Sequence, residues 1–327
     1  MKNELISVII PVYNTDNSII RCINSLINQS YKEFEALFID DGSTNGVDKV
    51  IKEYACSDSR IKYFYKDNSG VSSTRNYGIE KSKGNYICFL DSDDEYAENA
   101  LERLIYLIKQ KNCDFVRANF YYSKDDSKKS REGIKLEEQL IESGSKKELY
   151  IKKIIDGSIS TFVWVLMIKK EFLTNIKFDE NIDYMEDKVF YFELFSRAKK
   201  FYISNEPIYY YYYNDFLHND VIYWIKYLKN VNAVFSSILE KSKKYFSNKY
   251  NDYIQNSAFL QINFIVFKIY QYNRLIKKYF ELCDKRFLRK IKIYKKDNMY
   301  SKICIFFTNL KFYFGLKVMY FIKNIKE

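Results

Sequence analysis

Along the first 120 residues, short runs of β-branched and aromatic residues alternate with segments whose apolar positions recur every three or four residues. ISVIIPVY, residues 6–13, is an apolar run closed by Pro11 and Asn14, the pattern of a buried strand entering a loop. Ile19, Ile20, Ile23, Leu26 and Ile27 then predict a helix over 18–28. FEALFID, 34–40, reads as a second strand, and Asp40, Asp41, Gly42 and Ser43 as the turn into a helix near 48–55. IKYFY, 61–65, is a third strand, followed after Gly70 by a helix over 72–81. NYICFLD, 85–91, is a fourth, followed by a helix over 97–111 and a strand near 114–118. Alternation of this kind predicts an α/β fold: a mostly parallel sheet with helices on both faces.

After residue 125 the pattern loosens. KDDSKKSREG, 124–133, reads as a surface loop or poorly ordered segment, and 161–172, 175–190 and 205–214 as shorter elements of a second lobe. From Val221 onward Ile222, Ile225, Leu228, Val231, Phe235 and Ile238 fall at helical spacing. Farther on, Lys285, Arg289, Lys292 and Lys296 share one helical face opposite Phe287, Ile291 and Tyr294, the pattern of an interfacial helix. Residues 303–322 are apolar but interrupted by Asn309, Lys311 and Lys317, so a membrane span is not expected. The expected organisation is a domain over 1–220, divided near 120, and a helical region over 221–327.

Charge sharpens that division. The chain is +11 overall, yet residues 1–220 carry 31 basic and 36 acidic side chains, while 221–327 carry 22 and 6. A basic region of that kind implies an anionic partner surface, membrane or nucleic acid. The six cysteines lack CxxC spacing and have only His218 to join them, which excludes a zinc site or disulfide framework and suits a reducing compartment. The run from Leu5 to Val12 contains Pro11 and reads as a strand, not a signal peptide, so the expected location is cytoplasmic.

In doubly wound sheets, ligands sit beyond the carboxyl ends of the strands. Three polar clusters fall there: Pro11, Val12, Tyr13 and Asn14; Asp40 with Asp41; and Asp91, Asp93 and Asp94 of YICFLDSDDEY. Carboxylates so crowded repel one another unless a cation compensates. Hard oxygen ligands suit Mg2+ or Mn2+. A calcium EF-hand is excluded, because the position five after Asp91 is Tyr96 where the turn requires glycine.

At SVIIPVYN, FEALFIDDGST, NSGVSSTRNYGIEKSKGNYICFLDSDDEY and FDENIDYMEDKVFYFELFSRAKKFYISNEPIYYYYY, the chain resembles the family 2 glycosyltransferases, bacterial enzymes of the GT-A fold. The resemblance covers residues 6 to about 213 and implies an inverting transferase using a nucleotide-diphosphate sugar, UDP-hexose or UDP-N-acetylhexosamine, with Mn2+ or Mg2+. Asp91-Ser92-Asp93 resembles the family's DxD motif, implying that Asp93 binds the metal with Asp91 near the ribose or a metal-bound water. Asp94 is left open. The resemblance further implies that Pro11, Val12, Tyr13 and Asn14 line the base pocket, that Asp40 or Asp41 accepts a hydrogen bond from the base, and that Arg75 faces the diphosphate or donor sugar. Thr74 stands where the family commonly has Ala.

Asp187, in YMEDKVF, matches the family's catalytic base; Glu186 would shape the acceptor pocket, and Trp164 would form its wall, although Val165 stands where the family often has Asn. His218 is either a flap residue reaching the diphosphate or structural. The acceptor implied is a growing surface glycan such as capsule, lipopolysaccharide or another lipid-linked saccharide. The basic region 221–327 would then dock peripherally on anionic lipid at the inner face of the membrane. A nucleotidyltransferase would share the sheet and the metal but needs a glycine-rich loop after the first strand, and PVYNTDNS has none. A nucleic-acid-binding module would explain the basic region but not the carboxylate rim, so no nucleic acid is expected.

Overall fold

Ile6–Val12 (β1) is the strand on which the sheet is built, pairing in parallel with Phe34–Asp41 (β2) on one side and Tyr86–Phe89 (β4) on the other. Ile61–Lys66 (β3) extends the parallel ladder beyond β2. The computed structural model describes residues 4–123, 130–213 and 221–272. His218, the basic stripe at 285–296 and the apolar segment at 303–322 lie outside these residues. With Glu95–Tyr96 (β5), Phe115–Ser123 (β6), Leu166–Lys169 (β9) and Phe201–Tyr212 (β10), the sheet runs β3-β2-β1-β4-β9-β6-β10-β5. Ser130–Glu132 (β7) pairs with β6, and Gln139–Ile141 (β8) with β10. The longest ladders are parallel; β9 is antiparallel to both of its neighbours.

Strand alternation assigns the faces. Val8, Ile10 and Val12 face one core, with Ile19, Cys22, Ile23 and Leu26 of Ser18–Ile27 (α1) and Leu101, Leu104 and Ile108 of Ala100–Lys111 (α4). Val47–Ser57 (α2) adds Ile51 to it. Ile9 faces the opposite way, onto Val71–Lys81 (α3), where a Cβ on Gly78 would stand 2.4 Å from Ile9 Cγ2. Phe89 continues that face, edge-on to Phe178 and to Phe190 of Glu186–Arg197 (α6). Ser145–Asp156 (α5) packs beside α6 through Tyr150, which stacks on Phe195.

Two segments differ from the sequence-based expectation. The far end of the polar 124–133 run forms β7, an edge strand: ladder hydrogen bonds come from the backbone, and an edge tolerates polar side chains. The expected element at 205–214 is the second half of a strand beginning at Phe201, interrupted in register around Pro207, which has no N–H to give to the ladder.

Among the described residues, those up to 213 and 233–254 form one compact unit, and 221–232 with 255–272 belong to a second. Within the first, the latter part of Val221–Phe246 (α7) packs on α6: Glu193 accepts hydrogen bonds from Lys241 Nζ and from Tyr245 Oη at 2.8 Å. In the second, the described residues belong to the start of α7 and to most of Asn251–Tyr272 (α8). No helix among the described residues is long and apolar enough to cross a membrane.

The turn between α3 and β4 passes so close to the start of β1 that a Cβ on Gly84 would lie 2.6 Å from Ser7 N and 2.7 Å from Leu5 O. Backbone atoms cannot yield as a side chain can. Gly84→Ala should therefore lower the unfolding free energy by roughly 1–3 kcal/mol, read as a lower urea midpoint with an unchanged m value.

Candidate active site

Loops leaving β1, β2 and β4 meet beyond the carboxyl edge of the sheet and are tied together by short polar side chains. Asn14 takes a left-handed φ of 49°, a conformation asparagine tolerates. Its N–H donates to Ser43 Oγ at 2.9 Å and its Oδ1 accepts from Thr44 N at 2.8 Å, tying the β1 loop to the β2 loop. Thr15 Oγ1 meets Ser92 Oγ at 2.6 Å, tying it to the β4 loop. Val12 is buried in the core, Pro11 is half-buried, and Tyr13, 58% exposed, presents its ring to solvent.

The two aspartates ending β2 are already engaged by the fold. Asp40 accepts from Ser43 N at 2.8 Å and Tyr63 Oη at 2.7 Å; burial and that carboxylate hold the Tyr63 phenol well above its usual range. Asp41 accepts from the N–H groups of Ser69 and Gly70, both at 2.9 Å, and from Lys66 Nζ. Gly70 precedes α3 and has no side chain to cap it, so Asp41 supplies acceptors at that helix entrance from a neighbouring strand. The consequence is positional: α3 carries Arg75.

Arg75 is 4% exposed. Its Nη1 donates to Glu186 Oε1 and Asp187 Oδ1, both at 2.8 Å, and its Nη2 to Asp91 Oδ1 at 3.3 Å. Its Nε is buried without a partner. One guanidinium thus gathers the first carboxylate of the DSD motif and both carboxylates opening α6. Burial disfavours its charge, but Asp187, Asp91 and Glu186 outweigh that and hold its pKa above the usual arginine value. Burial pushes Asp187 well above the ordinary carboxylate range, with Arg75 pulling it back and Glu186 and Asp91 adding to the rise. Asp187 Oδ2 also accepts from Val163 N at 3.4 Å. The residue before the pair, Met185, holds a left-handed φ of 65°, strain of about 1–2 kcal/mol for a non-glycine residue.

The remaining aspartates divide. Asp93 is exposed, and partial desolvation together with the Asp91 charge pushes its carboxyl up to about 6. Asp94 is 1% exposed and accepts from Tyr209 Oη and Tyr212 N, both at 2.7 Å, while Tyr209 Oη accepts from Asp91 N at 3.2 Å. Asp94 therefore ties the DSDD turn to β10 and faces inward. Trp164 is 2% exposed, stacked between Phe162 at 4.6 Å and Tyr209 at 4.1 Å. The loop preceding it is held by Arg117, which donates to Ser160 Oγ at 2.9 Å, and by Tyr191, which donates to Phe162 O at 2.7 Å.

The family model for glycosyl transferase family 2 matches residues 7–171, about half of the chain. The chain belongs to that family. It is 39% identical over 197 residues to an uncharacterized glycosyltransferase of Rickettsia bellii, covering 60% of this chain. It is 30% identical over 209 residues to an uncharacterized glycosyltransferase, EpsJ, of Bacillus subtilis, covering 63% of this chain. The matched stretch spans 27% of the Rickettsia protein and 60% of the Bacillus one, less than two thirds of either. The fold is similar to that of S. aureus TarS 1–349 in complex with UDP, with TM-score 0.54, 17% identity, and coverage of 86% of this chain and 92% of that one. It is also similar to a mannosyltransferase of Pyrobaculum calidifontis in complex with GDP-Man and Mn2+, with TM-score 0.54, 12% identity, and coverage of 93% and 86%.

The side chains suit the divalent ion that the family's DxD motif implies. Asp91 and Asp93 offer hard oxygens, and the carboxylates around Arg75 outnumber the single charge that joins them. Among the described residues no group of three or more His, Cys, Asp or Glu side chains is placed to hold a metal ion by itself. Two carboxylates with the remaining positions left to phosphate oxygens and water match how Mg2+ and Mn2+ are ordinarily held at phosphate sites. The sequence had suggested DSDD as one cluster and Asp40 or Asp41 as base contacts; it did not show that Asp94 and Asp41 hold β10 and α3. The unbroken run of five tyrosines in EPIYYYYYN is a signal for a strand, but without alternation it does not say that Tyr209 turns inward.

Two measurements follow. Arg75→Met leaves three partly buried carboxylates without their cation and should cost roughly 3–5 kcal/mol of unfolding free energy in a urea titration. Lys188, adjacent to Asp187, is 4% exposed with its ammonium 4.8 Å from the Phe235 ring centroid, and burial lowers its pKa from 10.5 to about 7. Between those values the unfolded chain binds the proton that the native chain has released, so stability contributed by this site rises with pH across that window. Lys188→Met should remove that rise and be the more stable protein at pH 6.5, with the advantage shrinking toward pH 10 in thermal melts.

Proposed function

We propose that the chain is an inverting, metal-dependent glycosyltransferase that moves a sugar from a nucleotide-diphosphate donor to a hydroxyl of a growing surface glycan. The observation that carries this reading is the meeting of Asp91 and Asp187 on Arg75. It puts a carboxylate suited to accept a hydroxyl proton beside the end of the DSD motif suited to the donor diphosphate. Asp187, with its raised pKa, is the general base: a carboxylate nearer neutrality takes a proton more effectively than an ordinary one. Its neighbours Arg75 and the Val163 N–H fix the orientation of its two oxygens. Direct displacement by the activated hydroxyl from the face opposite the leaving group inverts the anomeric centre.

Asp93, with Asp91, would hold Mn2+ or Mg2+, which when bound offsets charge developing on the leaving diphosphate. Tyr13, Pro11 and Asn14 would line the base pocket, with Val12 supporting them from the core and Asp40 and Asp41 supporting the loops on either side. The nucleotide complexes of the two structural neighbours favour a nucleotide sugar as donor, and UDP-hexose or UDP-N-acetylhexosamine is the donor proposed here. Trp164 would support the acceptor wall from beneath Phe162. The surplus of basic residues over 221–327 supports docking on an anionic lipid surface, where lipid-linked acceptors are found.

The test is release of nucleoside diphosphate from a panel of nucleotide sugars with Mn2+ present. Asp187→Asn and Asp93→Ala should each reduce turnover by about 10²–10⁴-fold while retaining cooperative melting. Near-normal turnover in both variants would refute the assignment.

A further inference from the structure

The Asp187 carboxylate is held through both oxygens: Oδ1 accepts from Arg75 Nη1 at 2.8 Å and Oδ2 from Val163 N at 3.4 Å. An aspartate carboxylate turns easily about its last bond, so one contact fixes where the group lies and the second fixes how it faces. The second contact is the longer, near the limit at which a small rotation of the donor breaks it. Whatever orients that donor therefore orients the carboxylate.

The donor is one half of the peptide joining Phe162 and Val163. The other half, Phe162 O, accepts from Tyr191 Oη at 2.7 Å. Tyr191 stands four residues after Asp187 on α6, so the two project from the same side of the helix one turn apart. One helix thus grips a single peptide at both ends, giving a phenol proton to its carbonyl and taking its N–H on a carboxylate. A hydrogen bond to the carbonyl also polarises the N–H of the same peptide, which strengthens the bond that the N–H makes.

Tyr191 is itself fixed. It is fully buried, its ring stacks on Phe195 at 5.4 Å and 17°, and burial holds its phenol above the usual range, so the hydroxyl keeps the proton it donates. The Arg117 charge counters part of that rise. Arg117 is 2% exposed and donates to Ser160 Oγ at 2.9 Å and Ala118 O at 3.2 Å, with no carboxylate partner among the described residues. A buried cation without a counter-ion is costly if stability is its only return. Its contacts instead tie down the segment that leads into the 162–163 peptide.

We infer that Tyr191, with Arg117 behind it, is a positioning residue for the base: it orients the 162–163 peptide so that Val163 N–H sets the plane in which Asp187 presents its oxygens to the acceptor hydroxyl. The inference rests on the reading of Asp187 as the base. Tyr191 touches neither donor nor acceptor in this role, so its loss slows the chemical step and leaves donor binding alone.

Tyr191→Phe keeps the ring and removes the hydroxyl. With Mn2+ and the best donor from a panel of nucleotide sugars, it should lower kcat for nucleoside diphosphate release roughly 10- to 100-fold with KM for the donor unchanged. Added to Asp187→Asn it should cost nothing further, because residues that act as one unit are not additive. Tyr150→Phe is the control: its ring stacks on the same Phe195, at 6.3 Å, but its hydroxyl meets Gln139. It should leave kcat and KM unchanged. A second readout needs no turnover. Labelling phenylalanine with 13C at the carbonyl and valine with 15N marks only two peptides, Phe115-Val116 and Phe162-Val163, and Val163→Ala assigns the latter. Tyr191→Phe should move the Phe162-Val163 NMR signal, and Tyr150→Phe should not. Native turnover in Tyr191→Phe, a further loss in the double variant, or an unmoved Phe162-Val163 signal overturns the inference and leaves the transferase reading standing. No release by the native chain, or native turnover in Asp187→Asn, removes the base and the inference with it.

Discussion

Everything at the site is arranged about one buried guanidinium. Arg75 sits on α3, Asp91 beyond β4, and Glu186 with Asp187 at the start of α6, so a single side chain joins three elements brought together only by the fold. Desolvating an arginine is costly unless charged acceptors surround it, and desolvating three carboxylates is costly without a cation. Each therefore holds the other in place. Such an arrangement contributes geometry more than stability, since a well-packed apolar replacement often serves a fold equally well.

The supports of this arrangement are spread through the molecule. Asp41 holds the entrance of α3, and through it the depth at which Arg75 enters. Asp94 and Tyr209 hold the DSDD turn against β10, which leaves Asp91 and Asp93 as the members open to a ligand. On the far side, Glu193 is gripped by Lys241 and Tyr245 of α7, fixing the helix whose first residues are the carboxylate pair. Met185 takes a strained backbone conformation directly before that pair. Strain tolerated at such a point is consistent with selection for where Glu186 and Asp187 lie. With Asp93 included, the carboxylates outnumber Arg75, and Arg21, which donates to the Asp93 carbonyl, is a second cation beside them.

The α/β half was legible in the sequence because its periodicities are unambiguous: β1 to β4 and α1 to α4 lie within a few residues of where the apolar spacing puts them. The rim was legible for the same reason, since strand ends locate loops, and Asp91 and Asp93 stood out by type, whereas Asp187 was marked only by the family resemblance. Division of labour within the rim was not legible. Asp94 differs from Asp93 only in which way its side chain turns, and that depends on Tyr209 and Tyr212, 115 and 118 residues away. Likewise Arg75 has a surface-like local sequence, VSSTRNYG, and becomes buried only when α6 packs across it. The antiparallel insertion of β9 between β4 and β6 is a long-range pairing with no local signature.

If the surplus of carboxylates around Arg75 is completed by a divalent ion and a diphosphate together, the two must bind cooperatively. Calorimetric titration of Mn2+ into the full chain, with and without saturating UDP, measures this directly. The account predicts about one ion per chain, bound weakly alone and at least about tenfold more tightly with UDP, a coupling of roughly 1.4 kcal/mol. Mn2+ affinity unchanged by UDP, together with UDP binding unchanged by EDTA, would contradict it.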